Sequence, residues 1–255
     1  MIRALALVLL TVLPARPAAA TEEIVAGLSQ SSVSITADFV GSEILIYGAV
    51  KRESAIVQDP PLQVIITVEG PSTEMTVRRK DRRYGIWLNN ATVVIDRAPS
   101  YYAITTTAPL GSILSATEDL RHKISIPRAI RAVGISAEAE DSPQFLEALQ
   151  RIRRESGSYV LTEGEVRLTE DTLFRADVAL PANLTEGDYR VRIFLTRSGK
   201  VIDVLERGIV VHKEGLERFF FRLAHDQPLI YGLLSLVLAV GAGWGASAAF
   251  RLVRL

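Results

Sequence analysis

From Pro228 to Phe250 the chain runs PLIYGLLSLVLAVGAGWGASAAF without one charged residue. A helix of that length, at about 1.5 Å rise per residue, covers roughly 34 Å, enough to cross a hydrocarbon core of about 30 Å with a little tilt. The stretch is therefore read as a transmembrane helix over 228–250. Residues 251–255 form a short tail, and nearly all of the chain lies on the other side of the membrane.

The first twenty residues fit a secretory signal. Arg3 is a basic start, Ala4 to Leu13 is an apolar run, and Ala18-Ala19-Ala20 offers small residues for cleavage before Thr21. Export of the segment that follows implies a single-pass protein of the inner (plasma) membrane, with its large part periplasmic and its C-terminus cytoplasmic. The flanks of the helix do not argue this by themselves. Lys213, Arg218 and Arg222 precede it, against Arg251 and Arg254 after it.

The chain carries 29 basic and 29 acidic side chains, a balance without the cationic excess that phosphate neutralisation requires, so a nucleic-acid partner is not expected. Cysteine is absent and histidine occurs three times, at 122, 212 and 225, far apart in sequence. Thiol chemistry and zinc or iron–sulfur ligation lose their usual ligands, and no cofactor or metal site is expected. The familiar hydrolase, nucleotide-binding and zinc-protease motifs are also missing, and the expectation is a protein that is not an enzyme.

Residues 21–130 alternate with period two between turn signals, as half-buried strands do. Val33, Ile35, Ala37 and Phe39 oppose Ser34, Thr36 and Asp38, and apolar runs follow at 44–50, 64–69, 75–79, 86–88, 92–96 and 101–106. Residues 131–157 form a linker with a helix, started by Ser142 and Pro143, faced by Phe145, Leu149 and Ile152, and stopped near Gly157. Alternation resumes over 158–213, with a tight turn at Arg197-Ser198-Gly199-Lys200. The expected fold is mainly β: two Ig-like β-sandwich parts, 21–130 and 158–213, an intervening helix, and the C-terminal transmembrane helix. In the segment 214–227, Leu216, Phe219, Phe220 and Leu223 recur at helical spacing, which suits either the headgroup region of a bilayer or packing on the second β part.

Several short blocks occur in order. They are Gly27-Leu28-Ser29, Phe39-x-Gly41-x-x-Ile44-x-Ile46-Tyr47-Gly48-Ala49, Gly85-Ile86-Trp87-Leu88-Asn89, Leu173-Phe174-Arg175-Ala176 and Leu180-Pro181-Ala182-Asn183. Together they resemble the alphaproteobacterial transmembrane family Alph_Pro_TM, over nearly the whole chain after the signal. The resemblance brings no catalytic residues. It implies a genomic neighbourhood with sulfite-exporter-type permeases, hence a membrane-protein partner of that kind.

Two groups of residues stand out as binding candidates. Arg78, Arg79, Lys80, Arg82 and Arg83 form the densest charge cluster, read first as a solvated hairpin edge and alternatively as a site for an anionic ligand, headgroup or acidic partner. Trp87 beside it is expected in the core, with an exposed anchor for a partner as the alternative, and Tyr189 at a strand start is expected to be structural, like the corner tyrosines of sandwiches. In the membrane helix, Gly232, Ser235, Ala239, Ala242, Ala246 and Ala249 recur every three or four residues, a seam of small side chains suited to packing against another helix. The leading functional expectation is a non-enzymatic accessory that steadies another membrane protein or a second copy through this seam. The alternative is a periplasmic module that binds an anion or envelope polymer through the basic cluster.

Overall fold

The structure is a computed structural model of the full chain, and it describes residues 22–36, 39–53, 55–56, 58–131, 142–213, 220 and 223–253. The signal reading at 1–20, Ala37 and Asp38 of the first strand, and Leu216 and Phe219 of the amphipathic stripe lie outside the described residues.

The fold is mainly β with one long apolar C-terminal helix. Its strands are β1 (Glu22–Leu28), β2 (Ser32–Ile35), β3 (Ser42–Arg52), β4 (Gln63–Glu69), β5 (Ser72–Arg83), β6 (Ile86–Pro99), β7 (Tyr102–Thr106), β8 (Tyr159–Glu163), β9 (Arg167–Thr169), β10 (Leu173–Leu180), β11 (Gly187–Arg197) and β12 (Lys200–Lys213). The helices are α1 (Leu110–Ile113), α2 (Ala116–His122), α3 (Ile126–Ala129), α4 (Ser142–Glu155) and α5 (Pro228–Val253).

Strand pairing joins the two β-rich stretches that the sequence divides at 131–157. One sheet has the order β1-β3-β10-β9, and the other β2-β12-β11-β4-β7-β8. Strand β10 lies against β3 from Leu173↔Ala49 to Leu180↔Ser42, and β11 against β4 from Arg190↔Glu69 to Thr196↔Gln63. Early and late strands therefore share both sheets and one core, and the expected separation into 21–130 and 158–213 gives way to a single interleaved body. Period two states which side chains share a face but not which strand comes next to which. The late strands could not bury both their faces alone.

The core between the sheets comes from alternate positions. Ile44, Ile46, Phe174, Ala176, Val178 and Leu180 of the first sheet meet Val64, Ile66, Val68, Val191, Ile193 and Leu195 of the second. Strand β4 is buried on both faces from Val64 to Glu69, because a third layer covers the other side of its sheet. That layer holds α1 to α4 and the inner side of the β5–β6 hairpin. Ile65, Tyr102, Ile104 and Phe194 of the sheet pack there with Ile113, Ile124, Ile126, Phe145, Leu149, Val93 and Ile95.

Helix α4 matches the reading from Ser142 and Pro143. The short helices α1 to α3 replace what the sequence suggests is an all-β first part. Their signal is local: Ser115 Oγ accepts from the Glu118 amide and caps α2, an S-x-x-E start. Arg192 on β11 donates to the carbonyls of His122 (2.7 Å) and Lys123 (3.3 Å), placing a cation at the negative end of that helix.

Tyr189 is buried, and its hydroxyl donates to the Thr185 carbonyl at 2.9 Å, the corner arrangement expected of it. A charged clasp ties the first strand to the rest. Glu22, buried, accepts from Arg52 (2.6 Å) and Arg197 (3.1 Å), and Arg52 also donates to the Asp171 carbonyl.

Candidate functional site

Among the described residues, the hairpin β5–β6 is the one pair of strands outside both sheets. Its ladder is antiparallel and closes through Tyr84 and Gly85, with φ of 53° and 86°. Two successive left-handed residues make the tight turn whose twist suits a hairpin. Glycine adopts this conformation freely, but a bulky aromatic does so at a cost.

The root and tip of this ribbon differ. At the root, Met75↔Ile95, Val77↔Val93 and Arg79↔Ala91 face the body, where Ile95 and Val93 are buried and Met75 receives a 3.7 Å contact from Arg153 Nη2 of α4. Past Ala91 the register shifts, with Lys80 opposite Asn89, so Asn90 is an extra residue on β6. Such a bulge breaks the alternation along its own strand. In the unbroken series 95, 93, 91, 89, 87, Trp87 would face the body. With Asn90 inserted it falls opposite Arg82, on the outward side.

Trp87 is consequently 67% exposed, which corrects the expectation that it fills the core. Tyr84, Ile86 and Leu88 are exposed beside it. From Lys80 to Asn90 every side chain is exposed except half-buried Asp81, so both faces of the tip stand in solvent.

The five clustered cations do not act together. Arg78, Lys80 and Arg82 alternate on the outward face with Trp87, and none has a hydrogen-bond or ion-pair partner among the described residues. Arg79 faces the body and lies 5.7 Å from the centre of the Phe145 ring, a cation–π contact on α4. Arg83 pairs with Asp81 at 3.6 Å. The hairpin thus sorts the cluster into three unoccupied charges, one packed and one neutralised.

The second candidate surface is α5. Its 26 residues cover about 39 Å, and no part of its apolar stretch from Pro228 to Ser247 is buried against the described residues. Gly232, Ser235, Ala239, Ala242 and Ala246 are exposed along it, while the side chain of Ala249 lies outside the described residues. Ser235 Oγ donates to the Tyr231 carbonyl at 2.8 Å, so its polar atom turns back on its own helix and leaves a small, apolar surface.

The histidines are placed separately. His122 stands 3.4 Å from Glu118 and edge-on to Phe194, and His212 contacts Ser34 at 3.3 Å. No cluster of three metal-ligating side chains occurs among the described residues. A cleft of 310 Å³ lined by Pro60, Pro61, Gln63, Ala108, Ser112, Ile113, Ser198 and Gly199 offers no acid, base or cation.

The buried tyrosines are structural. Burial raises the hydroxyls of Tyr102 and Tyr159 to about 12, in the first case against the lowering effect of nearby Arg192. Tyr102 donates to the Ile124 carbonyl at 2.8 Å and Tyr159 to the Pro99 carbonyl at 2.9 Å, fastening the link between α2 and α3 and the hairpin root to the sheet.

Compared with known families, residues 23–252 match one described as "Putative transmembrane protein (Alph_Pro_TM)". No curated protein and no solved structure matches the chain.

Proposed function

Since the chain belongs to the Alph_Pro_TM transmembrane family, we propose that it is a non-enzymatic accessory of another membrane protein, a permease or a second copy, held by its C-terminal helix with its β body outside the cytoplasm. The observation that carries this reading is α5: a helix long enough to span, unburied along its apolar length among the described residues, with small residues at three- and four-residue intervals. Lipid alone makes no demand for such spacing, whereas a neighbouring helix comes closer where side chains are small.

The test is crosslinking in cells followed by purification in mild detergent, comparing the native chain with Ala239→Leu plus Ala242→Leu. A membrane protein, or a dimer, recovered with the native chain and lost with the double variant is the expected outcome. Complexes that survive the substitution would sink the reading.

A second reading has its own support. Three cations without partners among the described residues share a face with an exposed tryptophan, which favours a binding module for an anionic ligand on the β body.

A further inference from the structure

The tip of β5–β6 carries features that cost free energy and are not covered by any of the described residues. Tyr84 is fully exposed in a left-handed conformation, and Ile86, Trp87 and Leu88 add apolar surface to both faces of the same turn. Aromatic rings with a polar edge are favoured at membrane–water interfaces, where one side is apolar and the other wet. On the outward face Arg82 stands level with Trp87, and Lys80 and Arg78 follow behind it at two-residue intervals, roughly 7 Å apart. Apolar side chains at the end of the ribbon, with Arg82 level with Trp87 and Lys80 and Arg78 behind it, suit the boundary of a bilayer entered from water, where acyl chain and phosphate meet.

The hairpin arises from the end of the body that leads to the membrane helix. Glu69 at the end of β4 pairs with Arg190 near the start of β11, and Gly187 at that start pairs with Val211 near the end of β12. The root of the hairpin and the point where the chain leaves for α5 therefore lie at the same end of the sheet, two strand spacings or about 10 Å apart. Contact confirms the proximity: a Cβ added to Gly187 would come 3.1 Å from Cγ of Pro71, the residue before β5. Fourteen residues separate Lys213 from Pro228, and such a length spans at most about 50 Å. The body is thus tethered beside a bilayer by the end from which the hairpin arises.

We propose that the β5–β6 tip is a second membrane contact, in which Tyr84, Ile86, Trp87 and Leu88 seat in the interfacial layer of an anionic bilayer and Arg78, Lys80 and Arg82 bind its lipid phosphates. This rests on the reading of the hairpin as an anion-binding face and assigns its ligand. Tethering makes weak docking effective, since the second contact is intramolecular. Each cation near an anionic surface strengthens attachment about fivefold, so the three together account for about a hundredfold.

The chain has two tryptophans, Trp87 and Trp244, so Trp244→Phe leaves the tip as the only indole. The full chain carrying that change is reconstituted into phosphatidylcholine vesicles with or without phosphatidylglycerol, and Trp87 emission is read with lipids brominated in the upper acyl chain. Blue-shifted emission quenched by the brominated lipid in anionic vesicles is expected. It should be lost at about 1 M salt, where the screening length falls to about 3 Å. Arg78→Gln, Lys80→Gln and Arg82→Gln together should abolish it with the circular dichroism unchanged, whereas Arg79→Gln should leave it intact. Emission typical of indole in water, unquenched in both vesicles, would overturn the proposal. Equal quenching in neutral vesicles, insensitive to the triple change, would overturn it as well. A response to soluble glycerophosphate without lipid quenching would overturn membrane docking while leaving the anion-binding reading in place, so the two failures are distinct.

Discussion

The two halves of one hairpin, root and tip, have the same kind of sequence and opposite fates. At the root, Met75, Val77, Val93 and Ile95 occupy alternate positions, and the face they form is covered within the body. At the tip, Arg82, Arg83, Ile86, Trp87 and Leu88 continue the strands with no layer beneath them. The difference teaches that alternation marks a face without saying what that face meets. Covered, it stabilises the fold. Uncovered, it is surface available to something outside the chain.

The largest expected effect is at the root. Ile95 is fully buried among residues from the sheet, α4 and the hairpin. Ile95→Ala should destabilise the body by about 2–5 kcal/mol, measured by urea denaturation in detergent, through lost burial and the cavity left behind. A cost near zero would mean that the root is no better packed than the tip and would erase the comparison.

A pH effect sharpens the same contrast, because Tyr102 and Tyr159 belong to the layer under the root. Their hydroxyls ionise at about 12 when folded, above the ordinary value of 10.0. Below pH 10 both are protonated in either state and their contribution is complete. Above it the unfolded chain releases protons that the folded one retains, so stability falls between about pH 10 and 12, by roughly 2 kcal/mol for each tyrosine. Tyr102→Phe plus Tyr159→Phe should make the alkaline limb of a denaturation series shallower over that window, leaving the part due to Tyr101 and Tyr189, whose hydroxyls burial also raises.

Much of this division was legible in the sequence, but its location was not. The period-two runs, the start of α4 at Ser142-Pro143, the turn at Ser198-Gly199 and the spanning helix could each be read, because each is set by local chemistry. Partnership between strands was hidden: nothing in Leu173–Leu180 says that it lies against Ser42–Ala49 rather than against its own neighbours. Helices α1 to α3 are short enough that a capping serine at 115 is their main signal. The cluster from Arg78 to Arg83 was visible as charge, but its sorting depends on Phe145 and Asp81, brought up by the fold. Trp87 was misplaced by one residue of phase, since the bulge at Asn90 leaves no mark in the alternation that precedes it.

The cations test that sorting at a finer scale. Arg79→Gln removes the guanidinium from the Phe145 ring and should cost about 0.5–1 kcal/mol, while Arg82→Gln on the outward face should stay within about 0.5 kcal/mol of the native chain. A cycle pairing Arg79→Gln with Phe145→Leu isolates the contact. Additive costs would show that the two side chains meet without energetic consequence, and Arg79 would rejoin the tip as one more solvated charge.

The smallest effect on stability should accompany the largest change of surface. Trp87 is a bulky strand residue, and losing it from a core would cost about 3–5 kcal/mol. At 67% exposure, opposite Arg82 and beyond the last covered pair, Trp87→Ser should alter the denaturation midpoint by no more than about 0.5 kcal/mol. A loss of several kcal/mol would mean that the indole packs on the body and that Asn90 does not turn it outward. A neutral result leaves an aromatic at the end of a strained turn with no part in folding. Its contribution must then lie in what the tip touches, which makes the quenching of its fluorescence by lipid the measurement that decides its role.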